Sequence, residues 1–448
     1  MKKALVIGLL VLGTVPSWAG IAENRLLQAV RDSDHARIRS ALAAKANVNV
    51  LLPDQSSVLA WAVDRQDAES VRLLLAAGAK PHAQAAGAVQ PLLLACELGD
   101  PAIAGALIKA GANAKERRAD GTTAFALCAG ASTPEVLGAM VAKGADMNAA
   151  NIQGQTPLMS AAASGNVETI KWLASRGAKV NVADKRGFAP LFFALRSKVS
   201  GASMALLDSG ADVNAVMSDG TSVLQAAMLV GNVPFAMQAV SHGADLKRMD
   251  KNGRQVIHLA AMTGSADLMK LLLVKGVDPN TMTVLPYAPV MVASAAVAGV
   301  PPRLPIQPMP IPGTPLQFAA RAGSVDVMKL LVAAGARADL KGPDGMTVAI
   351  AAAGSGHLDA MQYAYEIDPH LDAIARGQRS IMHIAVTARG TPDPISVIQF
   401  LVDKGAKLNA QDDHNAFPVD EANRNADPIV REFFVKLIRD RGLISTNH

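Results

Sequence analysis

A Gly-Ala pair stands at Gly78, Gly111, Gly144, Gly177, Gly210 and Gly243, each 33 residues after the last, and Gly276-Val277 follows after another 33. A chain punctuated at a fixed interval folds as a string of like units, each too small to bury its own apolar face. The stretch Gly154–Asn181 shows what one unit is. Thr156 suits a helix N-cap and Pro157 the first helical position. Leu158, Ala161 and Ala162 then share one helical face, and Gly165 stops the helix by taking the left-handed conformation. Val167, Ile170 and Leu173 make the stripe of a second helix, which ends at Gly177-Ala178. Each unit is therefore a helical hairpin.

A 33-residue period of one turn and two helices, with Thr156-Pro157-Leu158, Thr314-Pro315-Leu316 and the repeated Gly-Ala followed by Asp, Lys or Asn, resembles the ankyrin-repeat family. The resemblance implies an all-α ankyrin-repeat solenoid of about 12 helix-turn-helix repeats with short β-hairpin tips. It covers residues 20–448, with an N-terminal cap repeat at 22–49 and a C-terminal cap repeat at 412–442 whose last helix is polar on its outer side. Asp120-Gly121, Asp219-Gly220 and Asn252-Gly253 read as tight turns at the tips. After Asn280 the rhythm breaks. Residues 281–312 carry eight prolines and one charge, Arg303, and the next marker, Gly335-Ala336, comes 59 residues after Gly276, one period plus 26. This is a proline-rich apolar loop inserted at a hairpin tip.

The first residues read as a targeting segment. Lys2 and Lys3 precede an apolar run, Ala4 to Val15, too short to span a bilayer, and Ser17-Trp18-Ala19 places small residues for cleavage after Ala19. Residues 1–19 are thus expected to be a Sec-type signal peptide, and the mature chain periplasmic or secreted. Half the residues are hydrophobic but only 4% aromatic, which suits Ala/Leu helix pairs packed side by side. The net charge of +5 falls by two when the leader is removed and is evenly spread, which argues against a nucleic-acid partner. No later run reads as a membrane span, and a monomer is expected. The two cysteines, Cys96 and Cys128, fall on first helices of neighbouring repeats, one position out of register. A disulfide is the open alternative in an oxidising compartment. The packing reading is that both fill small buried slots, because a bridge needs Cα atoms within about 7 Å and neighbouring repeats are expected to sit farther apart.

Catalytic text is absent: no His-Glu-x-x-His, Cys-x-x-Cys, Walker loop or Gly-x-Ser-x-Gly occurs. Catalytic residues, metal ligands and cofactors are accordingly read as none. The resemblance implies that His258 and His383, after the Thr-Pro-Leu position, bond the backbone of a neighbouring turn. The many methionines after position 200 are dispersed, which favours core filling or an adaptable binding face over copper ligation.

What remains is a surface. In proteins of this family, contacts come from the hairpin tips and from the end of each first helix. Carried onto this sequence, those slots give Phe188, Arg196, Val216, Leu229, Val230, Met249, Met262, Met282 and Arg321 as candidate partner-binding residues. The apolar members would form one patch beside the 281–312 loop, either open to an unidentified protein partner or sealed by the loop itself. The function expected is a non-enzymatic protein–protein interaction scaffold that binds on its concave face. The alternatives are a secreted effector acting on host proteins, and a metal carrier or enzyme with the loop as a lid.

Overall fold

The computed structural model describes residues 20–52, 54–82, 88–197, 199–284, 312–388 and 390–443. These residues form two compact units, divided between Asp219 and Gly220. Six helix pairs make up the first: Ile21–Arg31 with His35–Ala43, Val58–Asp64 with Ala68–Ala76, Pro91–Leu98 with Pro101–Lys109, Ala124–Ala131 with Pro134–Ala142, Pro157–Ser164 with Val167–Ser175, and Pro190–Arg196 with Ser200–Asp208. Six more make up the second: Val223–Leu229 with Val233–Ser241, Val256–Thr263 with Ala266–Val274, Pro315–Arg321 with Val325–Ala333, Val348–Ala353 with Leu358–Ile367, Ile381–Val386 with Pro394–Asp403, and Pro418–Asn425 with Pro428–Asp440. Within each unit, first helices pack on first helices and second on second, so the architecture is that of an ankyrin solenoid.

The pair at Gly154–Asn181 forms as its sequence dictates. Thr156 Oγ1 accepts a hydrogen bond from the Met159 amide at 3.4 Å, and Gly165 ends the helix at φ 74°. Asn166 caps the second helix by accepting from the Thr169 amide at 3.2 Å. Leu158, Ala161, Ala162, Ile170 and Leu173 are all buried. The marker glycine answers to backbone conformation rather than crowding: Gly177 sits at φ 87°, and a Cβ there would meet nothing within 4 Å. In the first repeat Lys45 fills this slot and adopts φ 60° itself. Gly253 is glycine for the opposite reason, since a Cβ would overlap the Val284 carbonyl oxygen.

Neighbouring repeats are stapled by asparagines. Asn181 Nδ2 donates to the Gly210 carbonyl at 3.0 Å while its Oδ1 accepts from the Asp212 amide at 2.8 Å. Asn280 makes the same two bonds, to the Gly335 carbonyl at 3.0 Å and from the Arg337 amide at 2.8 Å. Its partners lie 55 and 57 residues away where those of Asn181 lie 29 and 31, each 26 more. The extra residues after Asn280 therefore leave the stacking geometry unchanged. Their base is closed by the Thr283 amide donating to Gly313 O at 3.1 Å and the Gly313 amide donating to Thr283 Oγ1 at 2.8 Å. Residues 285–311 of the inserted segment, and the targeting segment 1–19, lie outside the described residues.

The tips are as short as expected, and one expectation changes. The hairpin tips are barely strands: among the described residues they comprise one two-stranded hairpin, Ile374–Ala375 with Arg379–Ser380, and single bridges between Leu51 and Ser57 and between Arg117 and Thr123. Most tips are turns held by a side chain, such as Asp184 Oδ1 accepting from the Arg186 and Phe188 amides. Gly121, Gly220 and Gly253 take the left-handed conformation expected of their turns. The expectation that changes concerns the cysteines. Cys96 and Cys128 are joined by a disulfide, with Cα atoms 4.4 Å apart. The expected separation was too large because helices Pro91–Leu98 and Ala124–Ala131 meet through small residues: a Cβ on Gly99 would lie 3.0 Å from Ala131 Cβ. Side chains of that size let the backbones approach within disulfide reach.

Candidate functional site

The predicted partner-binding residues divide between the two units. In the first, Phe188 is half-buried, edge-on to Phe192 and Phe193 at 5.8 and 6.3 Å, with the Arg186 guanidinium 4.8 Å above its ring. Its aromatic surface is therefore largely engaged within the chain. Arg196 is exposed in the last turn of its helix, and Val216 is exposed at a tip.

In the second unit four of the five predicted apolar members are open. Leu229 and Val230, at the end of helix Val223–Leu229, are 59% and 64% exposed. Met262 occupies the matching end of the next first helix, Val256–Thr263, which packs against the former, and Met249 stands at the intervening tip; both are exposed. Beside Met262, Arg254 is fixed by a near-buried ion pair with Asp250 at 2.7 Å, and its Nη1 donates to Met262 Sδ at 3.4 Å. An ordered cation thus flanks an exposed thioether. Met282 is half-buried. The alternative in which the 281–312 loop seals this surface falls on residues outside those described.

Arg321 is drawn into a different setting. It is half-buried in a cleft of about 530 Å³ together with Asp344, Arg376 and Arg379, over a floor that includes Met346, Ile350 and Ile384. Burial pulls the Arg321 guanidinium below its ordinary value, against the opposing pull of Asp344. Arg376 and Arg379 belong to the hairpin at 374–380, a tip the sequence reading did not carry forward. Their spacing in the tip of the next repeat but one was the available signal.

The histidines do what the family resemblance implies. His258 Nδ1 accepts from the Gln255 amide at 3.1 Å and its Nε2 bonds the Thr281 carbonyl at 2.9 Å, while burial pushes its pKa down to about 4. His383 Nδ1 accepts from the Ser380 amide and its Nε2 bonds the Ala416 carbonyl at 3.1 Å, and burial lowers its pKa too. Both are neutral tethers between repeats.

Asp412, Asp413 and His414 bring three ligand-type atoms within 4.8 Å of one another at the tip before the last repeat. The carboxylate of Asp412 accepts the amides of His414 and Ala416, and Asp413 pairs with His414 at 2.6 Å. These bonds are those of a side-chain-closed turn.

A titrating carboxyl that the sequence reading missed lies in the first unit. Burial raises Glu116 to about 7, and its Oε2 is buried with no hydrogen-bond partner among the described residues. An acid whose folded pKa exceeds its unfolded value holds an extra proton in the folded state. The fold therefore loses stability as pH rises from about 4.5 to about 7. Glu116→Gln is expected to add about 1–2 kcal/mol at pH 8, the linkage being reduced because half the side chain is screened by solvent, and to change little at pH 4.5. Urea midpoints at the two pH values check this.

A sequence model described as "Ankyrin repeats (3 copies)" matches residues 92–184, 127–217, 191–283 and 314–412. Over 76 residues, 17% of its length, the chain is 37% identical to "Ankyrin repeat domain-containing protein 37" of Xenopus tropicalis, and it spans about half (47%) of that relative. Among solved structures, the human ASB11 ankyrin repeat domain is similar at 24% identity and a TM-score of 0.44, over 56% of this chain and 99% of that one. No helix among the described residues is long and apolar enough to cross a membrane.

Proposed function

Because the chain belongs to the ankyrin-repeat family, whose repeats are protein–protein interaction scaffolds, we propose that it holds a partner protein on the face lined by Leu229, Val230, Met249 and Met262. The observation that carries this reading is the exposure of Leu229, Val230 and Met262 at equivalent ends of successive first helices, with Met249 exposed at the tip between them, where a solvated surface would carry polar groups. Methionine suits such a face, being flexible and polarizable. We read the work of the protein as binding rather than catalysis, in keeping with repeats that are interaction scaffolds and with His258 and His383 serving as tethers. The leader expected at residues 1–19 and a disulfide between the two cysteines suit an oxidising compartment, so we assign the chain to the periplasm or the exterior of the cell.

The test is capture from a periplasmic extract with the mature chain as bait. Leu229→Asp combined with Met262→Asp is expected to reduce recovery of the captured protein at least about tenfold, since apolar anchors dominate such interfaces. Both positions are exposed, so the far-UV helical signal should be unchanged. Undiminished capture by the double variant would move the binding face elsewhere. Fractionation of the producing cells checks the address: a chain confined to the cytosol with its leader intact would overturn the assignment.

A further inference from the structure

We infer that the cleft formed by Arg321, Arg376 and Arg379 is a binding site for an acidic, extended peptide segment of a protein partner, a carboxylate-recognising subsite separate from the apolar face around Met262. The inference rests on the scaffold reading above and adds to it the chemistry of what is recognised.

Three guanidiniums line the cleft and one carboxylate, Asp344, stands among them. Asp344 Oδ1 already accepts the Met346 amide at 3.1 Å, which ties that carboxylate to its own turn. Among the described residues Arg321 makes no hydrogen bond and no ion pair within 4 Å, although it is half-buried and its charge is desolvated. A half-buried guanidinium without a partner keeps part of its desolvation cost, and a ligand carboxylate would offset it. Arg376 is exposed at the tip and is likewise without an internal partner among those residues. Arg379 is fixed rather than free: its Nη2 donates to Thr387 Oγ1 at 3.0 Å and the His383 carbonyl at 3.3 Å, and it faces Glu421 at 3.8 Å. The cleft thus offers the unpartnered guanidiniums of Arg321 and Arg376, beside an Arg379 already held by Glu421, against one carboxylate tied to its own turn, and planar guanidiniums match carboxylates in two-point geometry.

The floor selects further. Met346, Ile350 and Ile384 are aliphatic, so a free small dicarboxylate would leave it uncovered, whereas an acidic side chain flanked by an aliphatic one would meet both. A cleft of about 530 Å³ accommodates a few residues of an extended chain, the scale of a short recognition segment.

The probe is a dye-labelled, end-capped decapeptide of alternating Glu and Leu, titrated with the mature chain and read by fluorescence anisotropy. Controls are the Gln/Leu and Lys/Leu peptides and succinate as competitor. The Glu/Leu peptide is expected to bind at least about tenfold tighter than the Gln/Leu peptide, to lose affinity as salt rises, and to leave Lys/Leu unbound. Arg321→Met and Arg376→Met should each weaken it about tenfold, and Arg321→Lys should weaken it less. Should Arg321→Met fail to fold by circular dichroism, the exposed Arg376→Met carries the test alone. Equal affinity for Glu/Leu and Gln/Leu, unchanged affinity in Arg376→Met, or displacement by succinate at peptide concentrations would each overturn the inference. Failure here with partner capture through Met262 intact sinks this cleft alone. Loss of all protein capture, with the peptide still bound, sinks the scaffold reading instead.

Discussion

Replacing His258 by Leu is expected to destabilise the second unit by about 3 kcal/mol at neutral pH, while leaving the apolar volume of the site nearly filled. The imidazole holds two repeats together at the point where the residues after Asn280 are inserted. Its Nδ1 takes the Gln255 amide of its own repeat, and its Nε2 bonds Thr281 O just before the inserted residues. The ring also lies edge-on to Phe318, 5.5 Å away, in the first repeat beyond them. Leucine can replace the ring contact but neither hydrogen bond, and it leaves a backbone donor and a backbone acceptor unmet. Because stability in repeat arrays resides at the interfaces between units, the loss should spread to both neighbours. Amide exchange should accelerate at Thr281–Val284 and through helix Pro315–Arg321 as well as at the substituted helix.

The same residue sets an acid limit. With a folded pKa of about 4 against an ordinary 6.5, His258 binds its proton later in the folded chain than in the unfolded one. Its contribution is complete above pH 6.5 and is lost as pH falls towards 4, a linkage of about 3 kcal/mol. The Leu variant should therefore show a shallower fall in urea midpoint across that window. A variant that keeps the wild-type midpoint and slope would show that the tether contributes nothing.

The repeat unit was legible because its signals are local. Thr156, Pro157, Gly165 and Gly177 each fix a dihedral or a cap within their own turn, and the structure places them so. The tether role of His258 was legible through family resemblance, since a histidine alone does not say which carbonyl it will meet. Other features depend on the distance between repeats, which no local signal encodes. The Cys96–Cys128 bridge follows from how closely Gly99 lets one helix approach the next, and the period counts residues without measuring that gap. The candidate sites divide in the same way. Exposure of Leu229 and Met262 follows from slot position at the helix end, whereas Phe188, a tip residue like the exposed Met249, is half-buried against Phe192 and Phe193, whose ring packing the slot does not specify. The grouping of Arg321 with Arg376 and Arg379 joins residues of non-adjacent repeats.

Reducing the Cys96–Cys128 bond, or replacing both cysteines by Ala, is expected to lower stability in the first unit by about 3–4 kcal/mol, the chain entropy released when a loop of this length is no longer closed in the unfolded state. The bond joins residues 32 apart in sequence, one per helix pair, and so ties two consecutive repeats at their shared interface. Both sulfurs are buried, and alanine fits the slots they occupy, so the double variant isolates the cross-link from the packing. Two measurements separate the covalent role from space filling. Alkylation of the denatured chain should label neither cysteine without reductant and both with it. Reductant should shift the urea midpoint of wild type to that of the Ala variant, and should leave the variant where it is. If the cysteines only filled space, alkylation would be complete without reductant, the Ala variant would lose about 1 kcal/mol or less, and reductant would move neither protein. A bond that stabilises this interface by several kcal/mol would also make folding of the first unit depend on an oxidising environment. Expression with and without a functional leader should then give chains that differ in protease resistance across residues 91–142 and converge when the cytosolic form is oxidised in vitro.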